Sequence, residues 1–411
     1  MPEFLKLQPP FIALQNFLSA IPAAQPETEE INTIEGLTRV LAQNFYAPNP
    51  LPEFPRSTVD GYAVIAAHTH GSSESIPAIL KMIGESPMGK PSALTVGEGQ
   101  AILIHTGGMI PTEADAVVML ENSQLNNGSD LEVFRPVSVN ENVILVGEDV
   151  SKGDLVIPAG RVIRPVEIGG LMSFGITRIQ VNKKPKVGIL SSGDEVIPPA
   201  QKPSIGQVRD INTSTMSAVV IEAGGQPVPY PLIADKEEAL TQSVIKAFNE
   251  CDMVLITAGS SASTRDLTSL VIAKLGKPGI LAHGVNVKPG KPTILAVCNG
   301  KPVIGLPGNP VSALVIADIF VRPVIHKLLQ VSDIQFKPSI QARLTANIVS
   351  ATGREDWVPV VLRETNRENE AEPIYFKSNL IFNLVRANAL VHIPADVTGI
   401  QAGEVVQVEL L

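Results

Sequence analysis

NVKPGKPTILAVCNGKPVIGLPGNPVSALVIADIF, residues 286–320, holds two Pro/Gly turns around short strands and then a long apolar segment. Lys288-Pro289-Gly290-Lys291 fits a type II turn, with Pro second and Gly third. Such a turn brings its end Cα atoms within ~7 Å, so two ammonium groups can converge on one anion. Gly305-Leu306-Pro307-Gly308-Asn309-Pro310 follows the apolar run at 302–306. Asn309 suits a helix N-cap and Pro310 a first helical position. Free amides and the positive end of the helix dipole would then face the loop, an anion site. Two ordinary turns would share these residues. The lysine pair so close to a capped helix start favours an anion cradle.

Upstream of this stretch, short apolar runs at 187–191, 253–257 and 303–306 are separated by helical patterns at 214–222, 237–250 and 268–275. Strands alternating with helices predict an α/β domain from Lys186 to about Gln330, its largely parallel sheet covered on both faces. Three Gly/Ser/Asp-rich loops follow its strands: SSGDE at 191–195, TAGSS at 257–261 and GLPGNP at 305–310. Ligands of open α/β sheets bind outside the carboxyl ends of strands, so these loops point to one site. It would include Ser192, Gly193, Asp194, Gly259, Ser260, Ser261, Gly308, Asn309 and Pro310.

On either side the pattern is strand and turn. Gly97-Glu98-Gly99 precedes AILIHTG, Gly153-Asp154 precedes LVIPAG, and Gly403-Glu404 precedes VVQVEL. Residues 51–181 therefore read as β-rich, and residues 338–411 as a small terminal barrel or sandwich with a polar hairpin tip at 364–372. Near the N-terminus, Phe11, Leu14, Leu18 and Ile21 fit one helical face.

The 411 residues suggest two or three domains at ~150 residues each. A net charge of -9 argues against nucleic acid or an anionic membrane as the main partner. An anionic small ligand would need a local cationic pocket, which the lysine turn could supply. Two cysteines, Cys251 and Cys298, offer no disulfide framework and fit a reducing compartment, so the expected location is cytoplasmic. No run of ~18 apolar residues predicts a membrane span.

The candidate reactive groups are carboxylates. Asp194 and Glu195 sit together after a strand, and Asp266 follows the TAGSS loop. Near a phosphate cradle such hard ligands suit Mg²⁺ held jointly with substrate; helix capping and solvated loop acids explain the same pattern. Asp60-Gly61 reads as a turn, as does Gly147-Glu148-Asp149. There is no G-x-S-x-G elbow, H-E-x-x-H pattern or Walker loop.

Seven motifs occur in order: STVDGYAV, HTGGMIPTEADAVVMLE, GEDVSKGD, SSGDEV, the AGSS…RD loop, KPGKP and GLPGNPVSA. Together they resemble the molybdopterin molybdenumtransferase family (MoeA and the gephyrin E domain), over nearly the whole chain. The resemblance implies a multidomain α/β plus β protein forming an elongated homodimer. Its parts would be an N-terminal helix at 1–28, a connector at 29–50 and 151–183, a central β domain at 51–150, a MogA-like α/β domain at 184–330 and a C-terminal β-barrel at 331–411.

It also implies insertion of molybdate (or tungstate) into adenylylated molybdopterin, with release of AMP and assistance from Mg²⁺. The shared active sites would lie between the α/β domain of one subunit and the central β domain of the other. The substrate would come from a molybdopterin adenylyltransferase, a possible partner. Carried over by motif, Asp60, Glu195 and Asp266 would be catalytic, the last two also ligands of Mg²⁺. Thr106, Asp149, Asp235, Lys288, Lys291, Ser312, Arg354 and Ser378 would contact substrate or oxyanion. Val59 stands where the family usually has Met, Ile144-Leu145-Val146 replace basic residues before Gly147, and the glycine loop reads AGSSASTR, with Ala258 for a glycine and Arg265 added. The alternatives are a molybdopterin adenylyltransferase, which the α/β domain alone resembles, and a non-catalytic pterin-binding scaffold.

Overall fold

The computed structural model describes residues 7–23, 26–257, 262–332, 338–365, 368–375 and 377–411. They fall into two compact units. The first, the α/β–barrel unit, comprises residues 1–42, 160–165 and 178–411; the second, the central unit, comprises 43–159 and 166–177.

In the first unit a six-stranded sheet runs in the order Gln226–Pro229, Lys186–Ser191, Met253–Thr257, Lys301–Leu306, Ile294–Cys298, Pro278–His283. The first four strands are parallel, and the last two form an antiparallel edge. Successive side chains of a strand point to opposite faces. Accordingly Val187, Ile189, Met253, Leu255, Ile304 and Leu306 enter one core with Phe17, Met216 and Phe320. Leu190, Val254, Ile256, Val303 and Ala296 enter a second core with Leu240, Val244 and Val271. Two hydrophobic layers explain why these strands read as unbroken apolar runs. The helices are Asn212–Glu222, Glu237–Glu250 and Ala262–Ala273; the first and third begin earlier than the periodicity suggests.

The N-terminal helix Pro10–Ala20 packs on the first core through Ala13, Phe17 and the following Ile21, with Leu14 and Leu18 partly buried. Phe11 is 65% exposed, which corrects the expected face. Residues 13, 17 and 21 form an i, i+4, i+8 stripe that residue 11 does not share. Residues 28–32 pair antiparallel with 178–182 within this unit.

The C-terminal strands form a closed barrel. Glu355–Glu364, Asn369–Pro373, Ser339–Leu344, Val405–Leu410 and Ala389–Ile393 pair in that order, and the last returns to the first. That closure excludes the sandwich. A short segment of the α/β domain, Val287–Lys288, adds parallel to the outer end of Glu355–Glu364. The expected polar tip is shorter than 364–372, because Asn369–Pro373 is already strand.

The central unit is built on a mixed sheet ordered Ala116–Met119, Gly61–Val64, Gln100–Ile104, Ala78–Glu85, Asp130–Val133, Ser123–Asn126. Its core holds Val64, Leu80, Val118, Leu131 and Val133. Phe45–Tyr46 pairs with Leu155–Ile157 in the same unit. No helix of the described residues is long and apolar enough to cross a membrane.

Candidate active site

The carboxyl ends of the parallel strands open onto a cavity of about 320 Å³. Ser191, Ser192 and Glu195 line it from one loop, Thr257 from the next strand, and Gly308, Asn309 and Pro310 from the third loop. These are loops expected to converge, and they do so because their strands are neighbours in the sheet. Ser192 Oγ and Asn212 Oδ1 are buried with no hydrogen-bond partner among the described residues. Buried polar atoms are ordinarily satisfied, so these two are available to a ligand.

Asn212 and Asp210 are cavity residues the sequence reading missed. Asn212 Nδ2 donates to Gly308 O at 2.8 Å, tying the start of helix Asn212–Glu222 to the GLPGNP loop. Asp210 accepts from the backbone N and the hydroxyl of Thr213, the capping bonds of that helix. The signal was present as Asp-x-Asn-Thr at a helix start. Gly193 is within this turn, and Asp194 Oδ1 accepts the amide of Asp235 at 3.1 Å, so these two expected residues meet beside the cavity loop. Glu195 is exposed.

Gly259, Ser260 and Ser261 lie outside the described residues, as does the side chain of Asp266. Among the described residues no three metal-ligating side chains converge.

The helix after GLPGNP begins as expected, with Asn309 in extended conformation and Pro310 first. Two details differ. The Asn309 side chain does not cap the helix; its Nδ2 donates to Ser378 Oγ at 2.9 Å. The Val311 amide donates to Ser378 O at 3.2 Å, so that N–H is not free for an anion. The barrel loop thus closes over the helix start, and Asn379 from it also lines the cavity. Ser312 is buried in the first turn.

The lysine turn packs at the other end of this helix. A Cβ on Gly290 would come within 2.5 Å of Ile316 Cδ1. Ile316 is six positions after Pro310, about 9 Å along a helix axis. The turn is not type II, because the Lys288–Pro289 bond is cis and Gly290 has φ +129°. Proline admits either isomer, and local sequence does not choose between them.

Lys288 lies 3.6 Å from Asp356 Oδ2. Arg354 grips the same carboxylate through Nε at 2.9 Å and Nη2 at 3.4 Å. Asp356 is buried, whereas Arg354 is partly exposed and Lys288 and Lys291 are exposed. Lys288 and Arg354 are thus brought together by an acid that had not been singled out.

In the central unit Asp60 Oδ1 accepts from Thr106 N at 2.8 Å and Thr106 Oγ1 at 3.2 Å. His105 Nδ1 lies 3.6 Å away, and its Nε2 meets Glu85 Oε1 at 3.1 Å. The Thr106 amide is the main cause that holds the Asp60 carboxyl below its usual range. Asp149 is exposed, and its amide bonds Leu51 O at 3.1 Å. Leu145 and Val146, in place of family basic residues, are exposed.

Family models cover three successive stretches. Residues 11–175 match the MoeA N-terminal region (domain I and II), 188–327 a probable molybdopterin binding domain, and 341–411 the MoeA C-terminal region (domain IV). A molybdopterin molybdenumtransferase of Haemophilus influenzae is 31% identical over 93% of this chain and 94% of its own. The chain belongs to the MoeA family. A Bacillus subtilis molybdopterin molybdenumtransferase is also 31% identical, over 94% of this chain and 90% of its own. A crystal structure of a molybdopterin biosynthesis MoeA protein from Pyrococcus horikoshii OT3 superposes with a TM-score of 0.86 at 31% identity, covering 99% of this chain and 100% of that one. Membership of the MoeA family accounts for a MogA-like α/β domain and a C-terminal barrel in one chain.

Proposed function

We propose that this MoeA-family chain is a molybdopterin molybdenumtransferase that inserts molybdate into adenylylated molybdopterin and releases AMP. The observation that carries this reading is a cation cluster and a polar cavity at opposite ends of one short helix. Lys288, Lys291 and Arg354 offer charge to a tetrahedral dianion, and Ser312 lies on the helix between. The cavity presents the unpartnered Ser192 hydroxyl and Asn212 carbonyl to a polar pterin. Exchange of an adenylate for a metal oxyanion needs positioning and charge neutralisation more than a strong nucleophile. That need suits a site with no nucleophilic cysteine: Cys251 and Cys298 are buried, and burial chiefly raises both thiols.

Glu195 supplies a hard oxygen ligand at the cavity wall, and Mg²⁺ there would complete its shell with substrate phosphate and water. When bound, the metal would neutralise phosphate charge. We further propose a cytoplasmic homodimer in which Asp60 of one subunit completes the site of the other.

The test is AMP release from adenylylated molybdopterin with and without molybdate or tungstate. Release that depends on the oxyanion supports the reading. Formation of the adenylylate from molybdopterin and ATP, without oxyanion, would instead identify an adenylyltransferase. Pterin binding with neither reaction would identify a scaffold.

A further inference from the structure

We propose that Asp356 is a positioning residue for oxyanion binding: a buried carboxylate that holds Lys288 and Arg354 with their outer donors turned toward the anion. This rests on the oxyanion site proposed above. The juxtaposition is written into the backbone, because Lys288 and Asp356 are direct partners in the parallel ladder that joins the lysine turn to the barrel. Their neighbours go elsewhere. Glu355, on the opposite side of the strand, meets His392 Nε2 at 2.8 Å. Asp356 is 2% exposed, and a buried carboxylate requires charged partners. It has two, Arg354 at 2.9 Å and Lys288 at 3.6 Å.

Arg354 spends Nε and one Nη2 hydrogen on this acid. A guanidinium carries five N–H groups, so three remain on the other edge, fixed in direction by the bidentate grip. The acid also sets the charge. Lys288, Lys291 and Arg354 against one carboxylate leave two formal positive charges, equal and opposite to a molybdate or tungstate dianion. Without the acid, two long side chains would have to be ordered by the anion itself, at a cost in rotamer entropy.

The experiment is calorimetric titration of the whole chain with tungstate and with molybdate alone. Asp356→Asn keeps the shape and removes the charge. An acid that only subtracted charge from the cradle would give tighter dianion binding in this variant. A positioning acid gives binding about tenfold weaker, the scale of a charge-assisted hydrogen bond. In an Arg354→Ala background the same substitution should cost less, because only Lys288 is then left for the acid to hold. The apparent KM for molybdate should rise while that for the adenylylated pterin holds, whereas general loss of structure would move both. Arg354→Lys keeps charge but loses the fork, and should also bind about tenfold more weakly. It tests the same arrangement if Asp356→Asn does not fold. Equal or tighter binding by Asp356→Asn, or wild-type binding by Arg354→Lys, overturns the role of Asp356. Failure of the unmodified protein to bind either oxyanion overturns the site itself, and this inference with it.

Discussion

Lys288 and Asp60 both stand where a short strand meets a turn, and the fold holds them in opposite ways. Lys288 faces a buried acid contributed by another domain of its unit, and its strand is stitched into the barrel. Asp60 is exposed and is held by the amide and hydroxyl of Thr106 in a neighbouring loop of its own sheet. The cation is placed by long-range register, and the anion by a local loop. Errors in packing should therefore disturb the first through the barrel and the second only through the sheet beneath it.

The largest effect should come from the glycine that follows Asp60. A Cβ on Gly61 would overlap the backbone carbonyl of Val118 in the adjacent strand, which cannot move without breaking the ladder. Gly61→Ala is expected to destabilise the central unit by about 3 kcal/mol or more in denaturant unfolding. Gly290→Ala, at the lysine turn, meets Ile316 Cδ1 and Cγ1 instead, side-chain rather than backbone atoms, though at a φ that favours glycine. It should cost about 1 kcal/mol. Equal losses would remove the contrast between backbone and side-chain neighbours.

Next in size is a test of the proposed shared site. Asp60→Ala and Glu195→Ala, each inactive alone, are refolded together so that subunits mix. Random pairing makes about half of the dimers mixed, and each mixed dimer has one intact site, so about a quarter of normal activity should return. Mixed dimers that stay as inactive as their parents would place both residues in one chain's site.

Acid should separate the two units in order. His326, on the α/β side, is pushed below its ordinary value of 6.5, first by burial and then by Arg322. The fold favours the neutral ring, so this contribution is full above about pH 6.5 and is lost as pH falls through the range below it. Thermal stability of the α/β–barrel unit should decline there, and His326→Asn should flatten the decline. Asp60 is lowered from 3.8, so its contribution is present above that pH and lost only below it. A single transition at one pH would contradict this order.

The smallest effect tests the Thr106 contacts. Thr106→Val removes the hydroxyl bond to Asp60 and leaves the amide bond, which is the larger cause of the lowered pKa. In a carbon NMR titration the Asp60 carboxyl should rise slightly and stay below the usual range. A return to the ordinary carboxylate value would assign the shift to the hydroxyl.

Much of the α/β domain was legible because buried parallel strands must be apolar on both faces, as 187–191 and 253–257 are. The convergence of SSGDE and GLPGNP followed from their place after strands of an open α/β sheet, whose ligands bind at the carboxyl ends. Asn212 was harder to see, since a helix-start asparagine ordinarily signals a cap, and its bond to Gly308 spans 96 positions. Asp356 gave no signal at all: an acid in an alternating strand reads as a solvent-facing residue until the barrel closes around it.

Periodicity, glycine placement and motif order are properties of short windows, and they determined the α/β and β segments, the loops at the strand ends and the family. The tertiary structure alone decided that the terminal strands close as a barrel, that Lys288–Pro289 is cis, that Ser378 occupies the Val311 amide, and that Asp356 joins Lys288 to Arg354. The barrel closure and the meeting at Asp356 depend on register between segments far apart in the chain, and a one-residue slip in a strand would turn the partner to the other face.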